Sequence, residues 1–349
     1  MRKITVSASR AYDIIIGSDL LDKVGELSSN VISPCRAVII SDDTVAALYS
    51  ERLIASLKCV GYTPEMIVIP HGEDSKSAEN YIKILNFLSD LRLSRSDCLF
   101  ALGGGVVGDL TGFVAATYLR GIEFIQIPTT LLSMVDSSVG GKTAINLDAG
   151  KNLVGAFYQP SLVICDYSTL ETLPDETFSD GCAEVIKYGI INDAPLFDKL
   201  KNPIMPQIED IIENCVRNKR DIVNKDERDN GMRQLLNLGH TAGHAVEKCS
   251  SFEITHGSAV AIGTVLITRA AVALGYCTEG DLNEIISLFE QYNLPTECPY
   301  DAKALASVAS ADKKRAGATI NLVIPFGIGD CRLLSTPVEQ LEEIFAKGI

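Results

Sequence analysis

The stretch DCLFALGGGVVGD (97–109) decides the fold of the first half of the chain. It begins as an apolar run of strand length, and Gly103, Gly105 and Gly108 then match the pattern G-x-G-x-x-G. Glycines between a strand and a helix allow a tight turn and bring backbone N–H groups close to a pyrophosphate. The acidic residue expected about 20 positions later is at best Glu123. We interpret the stretch as a nucleotide-binding turn, with a close-packed turn that binds no ligand as the alternative.

Similar apolar runs surround this stretch and alternate with helical patterns at 44–57 and 79–88. The predicted strands are RAVIIS (36–41), PEMIVIP (64–70), EFIQIPTT (123–130) and SLVICD (161–166). Strands that alternate with helices form parallel sheets, and strands that are apolar throughout are covered on both faces. The sequence therefore predicts an α/β fold with a parallel sheet and helices on both of its faces.

The pattern changes near residue 173. Beyond it, helical patterns dominate, at 177–192, 207–226, 233–249, 258–274 and 281–292. Near the end, TINLVIPF (319–326) and CRLLS (331–335) flank two glycines and predict a β-hairpin. A length of 349 residues suits about two domains. We predict an α/β domain over residues 1–173 and a mainly α-helical domain over residues 174–349 that contains the terminal hairpin.

Charge and composition exclude several classes of protein. Thirty-one Lys and Arg oppose 45 Asp and Glu, and the resulting net charge of −14 argues against nucleic acid and anionic membranes as partners. The apolar stretch 259–276 contains Arg269 and two Thr, so a buried helix is predicted there and no membrane span. Ten scattered Cys without a C-x-x-C pair, and an N-terminus without a signal-peptide pattern, predict reduced thiols and a cytoplasmic protein.

A second glycine-rich segment is VGGKT (139–143). A Walker A loop needs Gly at position 136, where this chain has Asp136, so that motif is excluded. Two glycines before Lys142 can still expose backbone N–H groups and bring a cation to an anion. A glycine-rich turn with a solvated lysine is the equal alternative.

The histidines are the most informative polar residues. Only four occur, and three of them, His240, His244 and His256, fall within a short segment. His240 and His244 are four residues apart, a helical spacing that suits two ligands of one metal ion. His256 is a possible third ligand, and Glu184 on a predicted helix is the expected carboxylate. A single histidine is more often a hydrogen-bonded core residue, which is how we interpret His71.

Further polar residues extend the histidine pattern. On a continuous helix over 233–249, Arg233 and Asn237 would share one face with His240 and His244. Burying such a face is costly without a function, and an exposed polar face is the alternative. Lys313 and Lys314, taken alone, predict a solvated pair.

Five segments, in this order along nearly the whole chain, resemble the 3-dehydroquinate synthase family. They are GGGVVGDLTGFVAATYLRG (103–121), IPTTLLSMVDSSVGGKTAIN (127–146), KNLVGAFYQP (151–160), GCAEVIKYGI (181–190) and LLNLGHTAGHA (235–245). The resemblance implies an α/β, Rossmann-like N-terminal domain followed by a mainly α-helical C-terminal domain.

The resemblance also implies an activity. The enzyme would be a cytoplasmic, homodimeric lyase of the shikimate pathway, which leads to chorismate and the aromatic amino acids. It would convert 3-deoxy-D-arabino-heptulosonate 7-phosphate to 3-dehydroquinate and phosphate through transient oxidation by NAD, phosphate elimination, re-reduction and an internal aldol closure. Its cofactors would be NAD and a divalent metal, Zn²⁺ or Co²⁺. The alternatives are another NAD- and metal-dependent sugar-phosphate cyclase, or a polyol dehydrogenase.

The resemblance assigns the cofactor sites residue by residue. Glu184, His240 and His256 would hold the metal. His244 would lie beside the substrate phosphate and would not be a metal ligand, contrary to what its spacing from His240 suggests. The residues that would bind NAD are Asp43, Glu73, Lys76, Gly104, Gly105, Val106, Asp109, Thr129, Thr130, Lys142, Lys151, Thr169 and Thr172.

The substrate would be bound largely by cations. The catalytic residues implied are Asp136, Lys142, Lys187, Asp229, Arg233, Asn237 and His244, and further substrate contacts would come from Arg120 of a neighbouring subunit, Asn152, Lys219 and one of Lys313 and Lys314, for which we take Lys313. Lys219 and Arg233 would bind the carboxylate of the substrate. Two positions depart from the family pattern, because Asp229 replaces a Glu and Asp180 replaces an Asn or Ser.

Overall fold

The computed structural model describes residues 1–311 and 319–349. The chain forms two compact units. Unit 1 contains Met1–Leu173 and Ile208–Arg228, and unit 2 contains Pro174–Gln207 and Asp229–Ile349. A single division at residue 173 therefore does not describe the arrangement, because one helical segment of the second half returns to unit 1.

The elements are numbered in chain order. The strands are β1 (Arg2–Ser7), β2 (Ala11–Gly17), β3 (Arg36–Asp42), β4 (Thr63–Ile69), β5 (Cys98–Gly103), β6 (Glu123–Pro128), β7 (Lys142–Leu147), β8 (Gly150–Phe157), β9 (Leu162–Asp166), β10 (Thr319–Gly327) and β11 (Asp330–Pro337). The α-helices within the described residues are α1 (Val24–Ser29), α2 (Asp43–Cys59), α3 (Ala78–Asp90), α4 (Gly105–Thr117), α5 (Asp175–Asn192), α6 (Ala194–Leu200), α7 (Ile208–Lys225), α8 (His240–Cys249), α9 (His256–Ala273), α10 (Glu279–Gln291), α11 (Ala302–Ala311) and α12 (Leu341–Ala346).

Unit 1 is built on a seven-stranded sheet in the order β1-β2-β9-β6-β5-β3-β4. All neighbouring strands in it are parallel except β1 and β2, which pair antiparallel. In the register of the central strands, Cys98 pairs with Ala37 of β3 and with Glu123 of β6. The carboxyl ends of the parallel strands therefore meet at one edge of the sheet, as predicted for an α/β fold.

Strand β5 shows why the central strands are apolar throughout. All six of its residues are buried. Its alternate side chains enter two different hydrophobic clusters, since Phe100 packs with Leu53 and Leu57 of α2, whereas Leu99 packs with Ile84 and Leu88 of α3. Helices thus cover both faces of the sheet.

Helix α7 belongs to unit 1 because of its amphipathic surface. Its apolar side includes Ile211, Ile212 and Val216, which are buried. Its polar side pairs with the N-terminus of the chain, where Arg2 forms ion pairs with Asp210 and Glu213.

Among the described residues of unit 2, the strands are those of the hairpin β10–β11, which the sequence predicts, and the rest is mainly helical. Helix α9 is long and apolar enough to cross a membrane by length and composition, but most of it is buried inside the unit. It therefore serves as a core helix, as predicted for the apolar stretch 259–276.

The predicted continuous helix over residues 233–249 is wrong. A 3₁₀ turn covers Met232–Asn237, and α8 begins only at His240. Gly239 between them has a left-handed backbone with φ of 76°, which ends one segment and reorients the next. Arg233 and Asn237 consequently do not share a helix face with His240 and His244.

Candidate active site

Three side chains of unit 2 converge in the arrangement of a metal centre. Oε1 of Glu184, on α5, lies 3.5 Å from Nε2 of His240 and 3.5 Å from Nε2 of His256. His240 and His256 are the first residues of α8 and α9, respectively. Zinc bonds of about 2.1 Å in tetrahedral geometry separate ligand atoms by roughly 3.4 Å. Both separations from Glu184 therefore match a zinc-like ion, and the ligand atoms of all three side chains lie within 4.8 Å of one another.

Close backbone packing brings the two histidines together. A Cβ on Gly263 of α9 would lie 2.2 Å from the carbonyl oxygen of Gly239, and a Cβ on Gly243 of α8 would lie 2.8 Å from that of Ala259. Only glycine permits such an approach of α8 to α9. The contact fixes the position of His240 relative to His256.

The ring of His240 is held in its neutral form. Its Nδ1 lies 3.0 Å from the carbonyl oxygen of Leu238, which leaves Nε2 directed to Glu184. Burial and the nearby Lys187 ammonium lower the pKa of His240 to about 3. A neutral imidazole is the form that binds metal.

Lys187 lies at the same centre. Its side chain is almost fully buried on α5, one turn after Glu184, and it forms an ion pair with Oε2 of that carboxylate. A buried ammonium is costly unless it is paired, so the ion pair ties Lys187 to the Glu184 carboxylate.

Glu247, a buried carboxylate beside His256, is not among the site residues that the sequence predicts. Oε2 of Glu247 lies 3.6 Å from Nδ1 of His256. Although burial disfavours a charged ring, the nearby carboxylates of Glu184 and Glu247 raise the pKa of His256 to about 10. The available signal was the spacing of 240, 244 and 247, which lie on one face of α8.

His244 lies beside Glu184, His240 and His256 with an exposed side chain. Its ring centroid is 5.3 Å from that of His240 and 6.1 Å from that of His256. His244, Glu247 and His256 form a second group whose ligand atoms are close enough to hold a metal ion. The i, i+4 pair of histidines thus meets at this centre, but the set closest to Glu184 is His240 and His256.

Three other predicted site residues of unit 2 precede α8. Arg233 is fully buried in the 3₁₀ turn, whereas Asn237 at the end of the same turn is exposed. Asp229 has a left-handed backbone with φ of 60°. The predicted phosphate lysine, Lys313, and its neighbour Lys314 lie outside the described residues.

In unit 1, the structure brings Lys219 and Asp136 together. Nζ of Lys219, on α7, lies 2.9 Å from the Asp136 carboxylate and donates a hydrogen bond of 2.7 Å to its backbone oxygen. The Lys219 side chain is nearly buried, while Asp136 is partly exposed. These two residues are distant in sequence, and they meet because α7 packs in unit 1.

The hairpin β7–β8 carries two further predicted residues. Lys142 is exposed at the start of β7, directly after Gly140 and Gly141, both of which have positive φ. Asn152 on β8 has φ of 58°, and its N–H donates to Asn146. Lys151 precedes it with a partly buried side chain.

The predicted NAD residues follow the carboxyl ends of the parallel strands. Asp43 follows β3, Glu73 lies beyond the end of β4, Gly104 follows β5 and Thr129 follows β6. Thr169 and Thr172, after β9, both contact the hydroxyl of Tyr49, through a backbone oxygen and a side chain respectively. In parallel sheets, this edge is where nucleotides bind.

Hydrogen bonds and an ion pair connect several of these residues. Nζ of Lys76 lies 2.5 Å from the Asp109 carboxylate on α4, and Asn146 donates to Glu73 at 2.7 Å. Oγ1 of Thr129 is buried and has no hydrogen-bond partner among the residues that the structure describes. An orphaned hydroxyl beside an open helix N-terminus fits a ligand with phosphate oxygens.

Three further residues predicted to bind NAD are Gly105, Val106 and Thr130. Gly105 and Val106 form the first turn of α4, and Thr130 hydrogen-bonds Ser133. A Cβ on Gly105 would lie 3.1 Å from Oγ of Ser137, so the glycine keeps the turn open. The residues present therefore fit a dinucleotide at this edge.

Known proteins match this chain over almost its whole length. The family model described as 3-dehydroquinate synthase N-terminal matches residues 66–180, and the one described as 3-dehydroquinate synthase C-terminal matches residues 181–315. The 3-dehydroquinate synthase of Pelobacter propionicus is 44% identical over 351 aligned residues, which cover 98% of each chain.

Two solved structures share the fold. The 2-epi-5-epi-valiolone synthase of Streptomyces hygroscopicus subsp. jinggangensis 5008, with NAD⁺ and Zn²⁺ bound, is 26% identical with a TM-score of 0.88 over 98% of each chain. A 2-deoxy-scyllo-inosose synthase complexed with carbaglucose-6-phosphate, NAD⁺ and Co²⁺ is 23% identical with a TM-score of 0.87 over 100% of each chain. The predicted fold class is thereby confirmed, and the chain belongs to the 3-dehydroquinate synthase family.

Proposed function

We propose that this protein is a lyase that converts 3-deoxy-D-arabino-heptulosonate 7-phosphate to 3-dehydroquinate and inorganic phosphate. The observation that carries the proposal is the match to the 3-dehydroquinate synthase family across both halves of the chain. The activity places the enzyme in the shikimate pathway, and a cytoplasmic location agrees with the reduced cysteines expected from the sequence.

The cofactors of the proposal are NAD and a divalent metal, Zn²⁺ or Co²⁺. The carboxyl edge of the unit 1 sheet supports NAD binding, and the spacing of Glu184, His240 and His256 supports a metal ion. When bound, the metal supplies a Lewis acid for a substrate hydroxyl, and NAD supplies a reversible hydride acceptor. The valiolone synthase that shares the fold has both NAD⁺ and Zn²⁺ bound.

Lys187 and Asp136 act beside the reacting hydroxyls in this proposal. Lys187 is buried and paired with Glu184, so its ammonium is held rigidly at the metal-binding carboxylate. Asp136 is oriented by Lys219, whose ammonium lies 2.9 Å from its carboxylate. Fixed charges stabilise developing charge without reorganising water.

Cations bind the two anionic ends of the substrate. Lys219 and Arg233, both largely buried, bind the carboxylate, for which a guanidinium offers two parallel hydrogen bonds. The residues proposed for the phosphate are Lys142, Asn152, Asn237, His244, Lys313 and Arg120 of a second subunit. Charge-assisted hydrogen bonds from these groups lower the barrier for phosphate to leave.

We further propose a homodimer, because Arg120 is expected to act in a neighbouring subunit. Arg120 is exposed in unit 1 with a left-handed backbone. Several large apolar side chains of unit 1 are also exposed, namely Leu119, which precedes Arg120, and Leu147, Leu153 and Phe157 of the hairpin β7–β8. Exposed apolar side chains of this size support an interface with a second copy.

The test is to incubate the protein with NAD, zinc and the heptulosonate phosphate, and to measure inorganic phosphate together with absorbance of NADH. We expect stoichiometric phosphate without net NADH, and loss of turnover in His240→Ala but not in Glu253→Gln, which changes an exposed residue. Net NADH from a polyol without phosphate release would instead indicate a polyol dehydrogenase. Phosphate release from a different sugar phosphate only would indicate another cyclase.

A further inference from the structure

The two ring nitrogens of His256 face two different carboxylates. Nε2 lies 3.5 Å from Oε1 of Glu184, and Nδ1 lies 3.6 Å from Oε2 of Glu247. Glu247 is on α8, and its side chain is only 5% exposed. The ring of His256 is thus placed between a metal-binding carboxylate and a second buried one.

We propose that Glu247 is a positioning residue of the metal centre, which accepts the Nδ1–H of His256 and thereby holds Nε2 toward Glu184 as a metal ligand. This inference rests on the metal centre of the proposed function. A carboxylate on the second nitrogen fixes the tautomer and the ring plane of a histidine ligand and makes it a better donor.

His256 needs such a partner more than His240 does. His240 is anchored locally, since its Nδ1 lies 3.0 Å from the carbonyl oxygen of Leu238, and its side chain is 14% exposed. The side chain of His256 is 32% exposed. This residue begins α9 directly after a connecting loop. Each histidine ligand therefore has its own Nδ1 partner, a backbone carbonyl in one case and Glu247 in the other.

The position of Glu247 argues for this role. In the sequence, Glu247 follows the buried residues Ala245 and Val246 and precedes the exposed Lys248. On α8, it shares a face with His240 and His244. A buried carboxylate is costly unless it is paired. His256 supplies a partner that becomes a hydrogen-bond donor at Nδ1 whenever Nε2 binds a metal.

A direct ligand role for Glu247 is the competing assignment. His244, Glu247 and His256 also have ligand atoms within 4.8 Å of one another. With a metal at Glu184, however, this second set would require both nitrogens of His256 to bind metal ions, so the ring would have to lose both protons. The positioning role requires only an ordinary neutral imidazole and is therefore favoured.

The first test measures zinc affinity, by competition with a chromophoric chelator, in Glu247→Ala, Glu247→Gln and the charge-matched control Glu253→Gln. We expect a tenfold to hundredfold weaker zinc affinity in Glu247→Ala, about the loss typical of outer-shell partners. Glu247→Gln should lose less, because its amide oxygen can still accept the Nδ1–H, and Glu253→Gln should match the unaltered protein. An affinity of Glu247→Ala within twofold of the unaltered protein would overturn the inference. If the unaltered protein itself binds no zinc, the proposed metal centre fails instead.

The second test needs no variant and so does not depend on how the variants fold. The unaltered protein is labelled with ¹⁵N-histidine, which gives only four imidazoles to assign, and is loaded with zinc. We expect one zinc per chain and a His256 ring with protonated Nδ1 and metal-bound Nε2. Two zinc ions per chain, or metal at Nδ1, would overturn the positioning role and assign Glu247 as a ligand.

Discussion

The carboxylate of Asp180 accepts a 2.7 Å hydrogen bond from the backbone N–H of Gly257 and a second, of 3.2 Å, from that of Ser258. The helix that carries Glu184 thus caps the helix that begins with His256. A Cβ on Gly257 would lie 2.1 Å from the carbonyl oxygen of Asp180, so the two helices touch through their backbones. This contact sets the distance between two of the three proposed metal ligands.

Asp180→Ala is expected to destabilise the protein and weaken its metal site. Loss of a helix cap costs about 1 kcal/mol, and α9 would lose two acceptors at its first turn. Urea unfolding and chelator competition measure the two effects. Asp180→Asn keeps an acceptor and should recover most of both. Unchanged zinc affinity in Asp180→Ala would show that the cap supports the fold alone.

Gly239→Ala is expected to disrupt the contact between α8 and α9. Its φ of 76° disfavours a side chain, and a Cβ would lie 2.3 Å from Oγ1 of Thr264. Gly275 is a matched control, since its φ is 77° and a Cβ there would have no neighbour within 4 Å. Gly275→Ala should cost only the backbone strain of about 1–2 kcal/mol. The urea midpoint of Gly239→Ala should fall further, and equal midpoints would contradict the steric argument.

The central strands were within reach of sequence reasoning because burial on both faces makes them apolar throughout. β3, β5 and β9 are almost entirely buried, and their runs of Val, Ile and Leu are unmistakable. The hairpin β7–β8 carries no such pattern, since no residue of β8 is fully buried and the strand contains glycine, lysine and asparagine. Its pairing depends on contacts that a local pattern does not record.

The proposed metal ligands likewise depend on contacts that a local sequence pattern does not record. Spacing along the chain favours His240 and His244 as a pair, because it compares only residues within one helix. The structure starts α8 at His240 and places the start of α9, with His256, against it. Glu184 comes from a third helix. The family resemblance supplies this set, whereas spacing alone cannot, because tertiary contacts at glycines bring the three residues together.

Zinc binding is expected to release a proton from His256. Without metal, the two neighbouring carboxylates raise the pKa of this ring to about 10, so it is protonated at pH 7–8. His240, with a pKa lowered to about 3, is already neutral and releases none. Zinc affinity should therefore rise about tenfold per pH unit through the neutral range and level off near the pKa of His256. Calorimetry in buffers of different ionisation enthalpy counts the protons, and a pH-independent affinity would contradict the proposed ligand.

Lys219→Met is expected to weaken substrate binding while leaving the fold intact. The lysine is nearly buried beside Asp136, and the proposal assigns its ammonium to the substrate carboxylate. A lost hydrogen bond between charged groups costs about 1.5–3 kcal/mol, which corresponds to a roughly tenfold to hundredfold lower kcat/KM. Lys225→Met, at an exposed position of the same helix, controls for the loss of charge. Steady-state kinetics of both variants measure the effect on kcat/KM, and urea midpoints check that both variants fold. An equal effect of the two substitutions on kcat/KM would show that Lys219 acts only through overall charge.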